Sequence, residues 1–161
     1  MLFRSELLDG LLATAAEINA SSDQTTRVIT IADATPYTVL AANSGKPHVI
    51  AEQTSSITIT LPTAAVGLEY EFVGKGVAAE AQNWIFASGV PYIGGLSFLD
   101  LDAGDAADEV HLGVYPNGSS NDVMTIVTPA PGGTRIKVLC DGTNWIVNGI
   151  VVSATIPTFG D

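Results

Sequence analysis

The chain has 161 residues, the length of one ordinary domain, which is enough to form a single compact core. Charged residues make up only 14% of the sequence and apolar residues 47%, a composition that argues against disorder. Seventeen acidic against six basic residues give a net charge of −11, which repels phosphate groups, so nucleic acid and anionic membrane surfaces are poor partners.

The first 22 residues differ in pattern from the rest of the chain. Thr14-Ala15-Ala16-Glu17 has the form of a capping box, in which the Thr and Glu side chains satisfy free backbone N–H groups at a helix start. A helix over 5–20 would carry one apolar stripe of Leu8, Leu11, Ala15 and Ile18. So short a helix is marginal alone in water, so we expect the domain or another chain to cover the stripe.

We therefore divide the chain into two parts. Residues 1–22 are predicted to form a helical arm for oligomerisation or docking, and residues 23–161 a single β-domain. The interface candidates in the arm are Leu7, Leu8, Leu11, Leu12, Ala15 and Ile18.

After residue 23 the sequence changes to short segments rich in β-branched and aromatic residues, separated by Gly, Pro, Asn or Asp. Ten strands are predicted, over 27–32, 37–41, 56–60, 68–73, 84–87, 110–115, 123–128, 134–140, 145–147 and 150–154. Asp141-Gly142 and Asn148-Gly149 are typical of tight turns, so 134–154 is predicted as a three-stranded meander. The predicted fold class is all-β, an antiparallel sandwich or jelly-roll-like barrel preceded by a short N-terminal helical segment.

Two further patterns concern the core. The segments 60–85 and 127–146 share the order strand, Pro, loop, Gly, strand, turn and Trp strand, which indicates either a duplication or two hairpins with similar turn chemistry. In both cases Trp84 and Trp145 are predicted to anchor a core. The stretches 81–99 and 142–160 each contain 19 residues without a charge, but turn-forming residues interrupt both, so neither predicts a membrane helix.

The sequence offers little support for catalysis. His48 and His111 are the two histidines, and no nucleophile motif surrounds either. Cys140 ends a predicted core strand, where a buried thiol is expected. Glu69 and Glu71 share one strand face, as paired catalytic carboxylates can, but alternation with apolar neighbours explains them without chemistry. We expect the protein not to be an enzyme.

The acidic segment 100–109 carries four Asp and one Glu. It does not fit the register of an EF-hand, so we interpret it as a solvated loop, with weak calcium binding as the alternative. No cofactor or metal is expected. The surplus of apolar residues over charged ones predicts permanent self-association, because exposed apolar patches usually mark interfaces.

Three segments resemble phrases found in structural proteins of tailed bacteriophages. Residues 8–19, LDGLLATAAEIN, are similar to a phrase that is often repeated near the start of such proteins. Residues 59–72, ITLPTAAVGLEYEF, resemble a strand-pair phrase of the same group, and residues 140–145, CDGTNW, resemble its closing hairpin. All three are scaffold phrases rather than active-site signatures.

The resemblance implies a virion protein: a capsid decoration (cement) protein, a head fibre or a tail-fibre module. One copy of the first phrase followed by one domain favours a decoration protein. Such a protein binds the major capsid protein on the outer capsid surface as a homotrimer and stabilises the shell, after synthesis in the host cytoplasm. The alternative is a head-fibre or tail-fibre module that binds a host receptor or glycan. Its candidate aromatic residues are Trp84, Trp145 and Tyr92, although core anchoring is favoured for both Trp residues.

Overall fold

The computed structural model of the protein describes Thr14 and residues 27–33, 36–76, 82–101, 111–129 and 132–161. Within these ranges half of the residues lie in strands, and the short 3-10 helix Ala41–Asn43 supplies 3%. The predicted all-β class is confirmed there. The predicted N-terminal helix lies outside the described residues, as do the interface candidates Leu7, Leu8, Leu11, Leu12, Ala15 and Ile18.

The described part of the chain contains twelve strands in two sheets. The strands are β1 Ile29–Ile31, β2 Tyr37–Thr38, β3 Pro47–Ile50, β4 Ile57–Thr60, β5 Glu69–Gly74, β6 Trp84–Ala87, β7 Tyr92–Asp100, β8 His111–Val114, β9 Val123–Ile126, β10 Arg135–Cys140, β11 Trp145–Ser153 and β12 Thr158–Gly160. One sheet has seven strands in the order β1-β3-β5-β10-β11-β7-β8, and the other has five in the order β12-β9-β6-β4-β2.

The first six strands alternate between the two sheets. Strands β1, β3 and β5 are neighbours in the seven-stranded sheet, and β2, β4 and β6 are neighbours in the five-stranded sheet. After each strand the chain crosses to the other sheet, and the following strand brings it back to the first one. Each returning strand therefore runs parallel to the strand two before it in sequence and pairs with it. This part of the chain therefore winds as a coil with two strands per turn.

The predicted antiparallel architecture is wrong for half of the strand pairs. Five pairs are antiparallel, but the four pairs of the coil and the long β7–β11 pair are parallel. Alternation of apolar and polar residues reports which face of a strand is buried, and it carries no information on the direction of the neighbouring strand. Both sheets are therefore mixed.

The predicted meander over 134–154 is also wrong, because β11 runs without interruption through the predicted turn at Asn148-Gly149. Gly149 lies opposite Ile136 of β10, and a Cβ on this glycine would be 2.9 Å from the Ile136 Cα and closer still to the carbonyl oxygen of Arg135. This glycine therefore permits a close approach of two backbones rather than a turn.

The other predicted turn, Asp141-Gly142, is confirmed between β10 and β11. Gly142 has a φ of +100°, which a glycine adopts without steric cost. The Asp141 Oδ1 accepts hydrogen bonds from the backbone N–H groups of Asn144 (2.7 Å) and Thr143 (2.8 Å). These bonds favour the ionised carboxyl, so the pKa of Asp141 lies below its usual value.

Three strands were missed by the sequence patterns. Strand β3 begins with a proline, β12 is short and near the end of the chain, and β7 contains Gly94-Gly95. Gly94 has a φ of +90°, and its missing side chain leaves room for the backbone of Val147 in the parallel neighbour β11. Here too the glycine marks a close approach of two strands.

The inward faces of both sheets form one hydrophobic core, which includes the fully buried Trp84 and Trp145 as predicted. The rings of Phe72 in β5 and Phe86 in β6 join the sheets, with centroids 4.9 Å apart. The two Trp strands lie in different sheets, so the similarity of the two segments ends before the tryptophans. Among the described residues no helix is both long and apolar enough to cross a membrane.

The close approach of β10 and β11 at Gly149 predicts that a side chain at this position destabilises the fold. Gly149→Ala places a methyl group against the β10 backbone, and we expect it to lower the free energy of unfolding by about 1–3 kcal/mol, as overpacking does. Gly160→Ala is the matched control, because Gly160 also lies in a strand but has open space at its Cβ position. Urea unfolding followed by circular dichroism measures both; equal stabilities would contradict the interpretation.

Candidate functional site

The candidate site lies on the outer face of the seven-stranded sheet. In β5 the aromatic side chains of Tyr70 and Phe72 are buried, so Glu69 and Glu71, which alternate with them, point outward. This is the alternation that the sequence predicted for the two carboxylates. In β10 the same pattern buries every second residue and exposes Lys137.

Strand register places three polar side chains in one row across this face. Glu71 of β5 lies opposite Lys137 of β10, and Lys137 lies opposite Asn148 of β11. Asn148 in turn lies opposite Gly95 of β7. Neighbouring strands are about 4.8 Å apart, so this polar row, Glu71-Lys137-Asn148-Gly95, spans about 14 Å. Its carboxylate, ammonium and carboxamide groups supply both hydrogen-bond donors and acceptors.

A depression of about 410 Å³ lies beside the polar row. Its lining combines the row's polar side chains with the apolar side chains of Leu139 and Ile146. The loop at Ser44–Gly45 contributes one wall and is held in place by Glu69. The Glu69 N–H donates to the Ser44 Oγ over 3.0 Å, and the Gly45 N–H donates to the Glu69 carbonyl over 2.9 Å.

The charges around the depression balance. Arg135 and Glu71 form an ion pair with 2.9 Å between Nε and Oε1, and Lys137 faces Glu71 across the strands. The Arg135 side chain is 63% exposed, so this pair adds at most about 1 kcal/mol to stability. With Glu69, two carboxylates face two cations, which gives this surface no net charge although the chain carries −11.

An exposed aromatic ring stands at the Gly95 end of the polar row. Tyr115 follows β8 and is 73% exposed. Its ring covers Gly95 of β7 and Gly113 of β8, since a Cβ on either glycine would lie within 2.8 Å of ring carbons. The two missing side chains therefore make a flat seat for one face of the ring and leave the other face toward solvent.

The loop after Tyr115 is fixed by its own side chains. The Asn117 Oδ1 accepts hydrogen bonds from the N–H groups of Ser119 (2.9 Å), Ser120 (3.0 Å) and Asn121 (3.2 Å). The Asn121 Oδ1 accepts in return from the Asn117 N–H over 2.8 Å. The sequence patterns did not predict Tyr115 as a surface residue; the available signal was Gly113 inside the predicted strand 110–115, because a glycine within a strand indicates a close contact.

The aromatic residues predicted as glycan candidates are not on the surface. Trp84, Trp145 and Tyr92 are all at most 1% exposed, so the structure contradicts a role for them in surface binding. Their rings belong to strand positions that face the core, and the surface aromatic beside a polar loop is Tyr115 instead.

The two histidines considered for catalysis do not come together in the described part of the chain. His48 of β3 is buried and His111 of β8 is exposed, with four strands between β3 and β8 in the sheet. Cys140 is buried at the end of β10, as predicted. Among the described residues no group of three or more His, Cys, Asp or Glu side chains could hold a metal ion, and residues 102–110 of the acidic segment lie outside them.

Comparison of the chain with protein-family models and with curated protein sequences finds no match.

The buried His48 is the one titratable group of the core with a nitrogen that lacks a partner among the described residues. Its Nδ1 donates to the Lys46 carbonyl over 2.9 Å, which leaves the Nε2 lone pair among the rings of Tyr37, Tyr70 and Phe72. Burial disfavours the imidazolium form and lowers the pKa of His48; the Lys46 carbonyl opposes this effect and the Lys46 charge adds to it.

This environment predicts a pH-dependent stability. The pKa of His48 is lower in the folded chain than the unfolded value of about 6.5. The contribution of uncharged, buried His48 to the free energy of unfolding is therefore complete above that pH and is lost as the pH falls below it. We expect the free energy of unfolding to fall between pH 7.5 and pH 5.5, by at most about 1.4 kcal/mol per pH unit from this residue.

Urea unfolding across that pH range tests this prediction, with His48→Phe and His48→Gln as variants expected to flatten the dependence. His111→Gln, which removes the exposed histidine instead of the buried one, is the matched control. An unchanged slope in both His48 variants would show that other groups cause it.

Proposed function

We propose that the protein is a bacteriophage capsid decoration protein, which binds the outer capsid surface as a homotrimer and stabilises the shell. The observation that carries the proposal is the resemblance of residues 8–19, 59–72 and 140–145 to phrases of tailed-phage structural proteins. Residues 59–72 run from the end of β4 to the middle of β5, and residues 140–145 form the β10–β11 turn. Both are scaffold positions, as expected of a structural protein.

The finer architecture belongs to the same proposal. We propose a β-sandwich of the two mixed sheets with a helical arm before it. Ring contacts across the core support face-to-face packing of the sheets, at Phe72 with Phe86 and at Tyr92 with Phe159. A compact sandwich on a short arm suits a protein that sits on a shell and is not required to move or to react.

Exposed apolar side chains support self-association or capsid contact. Nine large apolar side chains are exposed among the described residues of a chain with few charges, which offers apolar area for contact with a partner. They are Val28, Leu40, Val66, Leu101, Leu112, Tyr115, Leu139, Ile150 and Ile156. The net charge of −11 also suits a coat, because decorated particles repel one another.

Decoration by a trimer would work through multivalency. If each chain contributes one apolar arm contact to the shell, the second and third contacts form at a high effective concentration after the first. Three weak contacts then bind as one strong contact, and the bridged capsid subunits gain buried interface against the internal pressure of the packaged DNA. No catalytic step is part of this function.

The proposal predicts a trimer in solution. Sedimentation equilibrium at micromolar concentration should give three times the chain mass of 16.6 kDa. A monomer under these conditions would contradict any obligate assembly, including the proposed one.

It also predicts that residues 1–22 are needed for decoration. Full-length protein should co-sediment with undecorated capsids of its phage, whereas a chain lacking residues 1–22 should keep its β circular dichroism but lose binding. In the full-length chain, Leu8→Ser with Leu11→Ser should weaken binding at least about tenfold through lost avidity. Leu8→Met with Leu11→Met is the control, because it keeps both side chains apolar and should bind capsids as the original chain does.

Two outcomes would contradict this prediction. Equal capsid binding by the truncated and full-length chains would place the docking surface on the β-domain. Absence of binding by the full-length chain would favour the fibre module that binds a host receptor or glycan.

A further inference from the structure

The geometry points to a binding site for a neutral oligosaccharide on the outer face of the seven-stranded sheet, between Tyr115 and Glu71. Capsid decoration requires no such site, so this inference goes beyond the proposed function. It rests on three features that register brings together: an aromatic ring with one open face, a row of polar side chains, and a local balance of charge.

Tyr115 provides the platform. The ring is seated on Gly95 and Gly113, which fixes its plane, and its exposed fraction of 73% leaves the outer face free for contact. A pyranose ring has a face of C–H groups that packs against an aromatic ring, while its hydroxyl groups point to the sides. A tyrosine held by packing loses little side-chain entropy when such a ligand binds.

The polar row provides the partners for the hydroxyl groups. Asn148 lies opposite Gly95, the glycine under the Tyr115 ring, and so stands next to the platform. Lys137 and Glu71 follow on the next two strands at about 4.8 Å per step. Asn148 both donates and accepts, Lys137 donates and Glu71 accepts, which suits sugar hydroxyls that do both.

The shape of the surface fits an extended ligand. The distance from Gly95 to Glu71 across the strands is about 14 Å, and the depression of about 410 Å³ extends along the row from Asn148 to Glu71. A chain of several sugar units stacked on Tyr115 at one end therefore reaches the depression at the other. The positions on β5, β7, β10 and β11 are set by strand register, so the site needs little rearrangement.

The charges select a neutral ligand. Arg135 and Lys137 offset the carboxylates of Glu69 and Glu71, so this face has no net attraction for anions such as uronic acids, sialic acids and phosphates, and none for cations. The balance is local, because the chain as a whole has eleven more negative than positive charges. Two of its six basic residues stand on this one face of β10.

The test uses the full-length chain and a defined panel of probes. Maltohexaose, cellohexaose and chitohexaose are the neutral probes, and an oligogalacturonate of similar length is the anionic one. Saturation-transfer difference NMR detects binding at millimolar ligand, and titration of ¹H–¹⁵N shifts gives the affinity and the residues affected. We expect at least one neutral probe to bind, with shifts at Tyr115 and Asn148, and the anionic probe not to bind.

Variants separate a sugar platform from a structural role of the ring. Tyr115→Ala should lower the affinity at least about tenfold, as truncation of an aromatic anchor does, whereas Tyr115→Phe keeps the ring and should stay within about threefold. Asn148→Ala should weaken binding severalfold. Val66→Ala, at another exposed apolar side chain, is the matched control and should bind as the original chain does.

Several results would overturn the proposal. These are no binding of any neutral probe at millimolar concentration, equal affinity of the original chain and Tyr115→Ala, or binding of the anionic probe alone. Sedimentation equilibrium adds one more: if Tyr115→Ala reduces the oligomeric state while Tyr115→Phe preserves it, the ring contacts another copy of the chain instead of a sugar.

Discussion

The contact between the two sheets is the constraint on which the rest of the structure depends. Phe72 and Phe86 meet across it with centroids 4.9 Å apart, and every strand that joins the core must turn alternate side chains toward that plane. Because the period of a strand is two, the choice of inward residues also fixes the outward ones. Burial of Tyr70 and Phe72 thus places Glu69 and Glu71 on the surface beside Lys137.

The same core buries several polar atoms that have no hydrogen-bond partner among the described residues, and this lowers the stability of the fold. The indole N–H groups of Trp84 and Trp145 have no hydrogen-bond partner among the described residues, and neither does the Nε2 of His48. Each buried unpartnered group costs about 1–3 kcal/mol, so the large aromatic area around these residues must more than compensate. An uncharged His48 keeps that cost at the level of a neutral group; protonation would add the larger cost of a buried charge.

The location of most strands followed from the sequence because residue composition and period-two alternation report burial directly. The predicted segment 84–87 coincides with β6, and Asp141-Gly142 forms the turn that its residue types require. The direction of each strand could not be predicted from the sequence, because the alternation of apolar and polar residues is the same whether the neighbouring strand is parallel or antiparallel. Gly149 has two physical explanations, a turn or a close approach, and only the position of Ile136 and the Arg135 carbonyl decides between them. Tyr115 has the same difficulty, because its importance arises from Gly113, two residues before it, together with Gly95 in the unpredicted strand β7.

Glycines therefore determine more of the surface than their number suggests. Gly95 and Gly113 remove two side chains from the outer face and let one ring occupy the space of both, so the ring lies flat where a strand residue would ordinarily stand upright. A flat, supported ring beside Asn148 presents apolar area and hydrogen-bonding groups within one strand spacing. The proposed sugar site lies on strands β5, β7, β10 and β11, whereas the proposed attachment lies in residues 1–22, so the two proposals concern different parts of the chain.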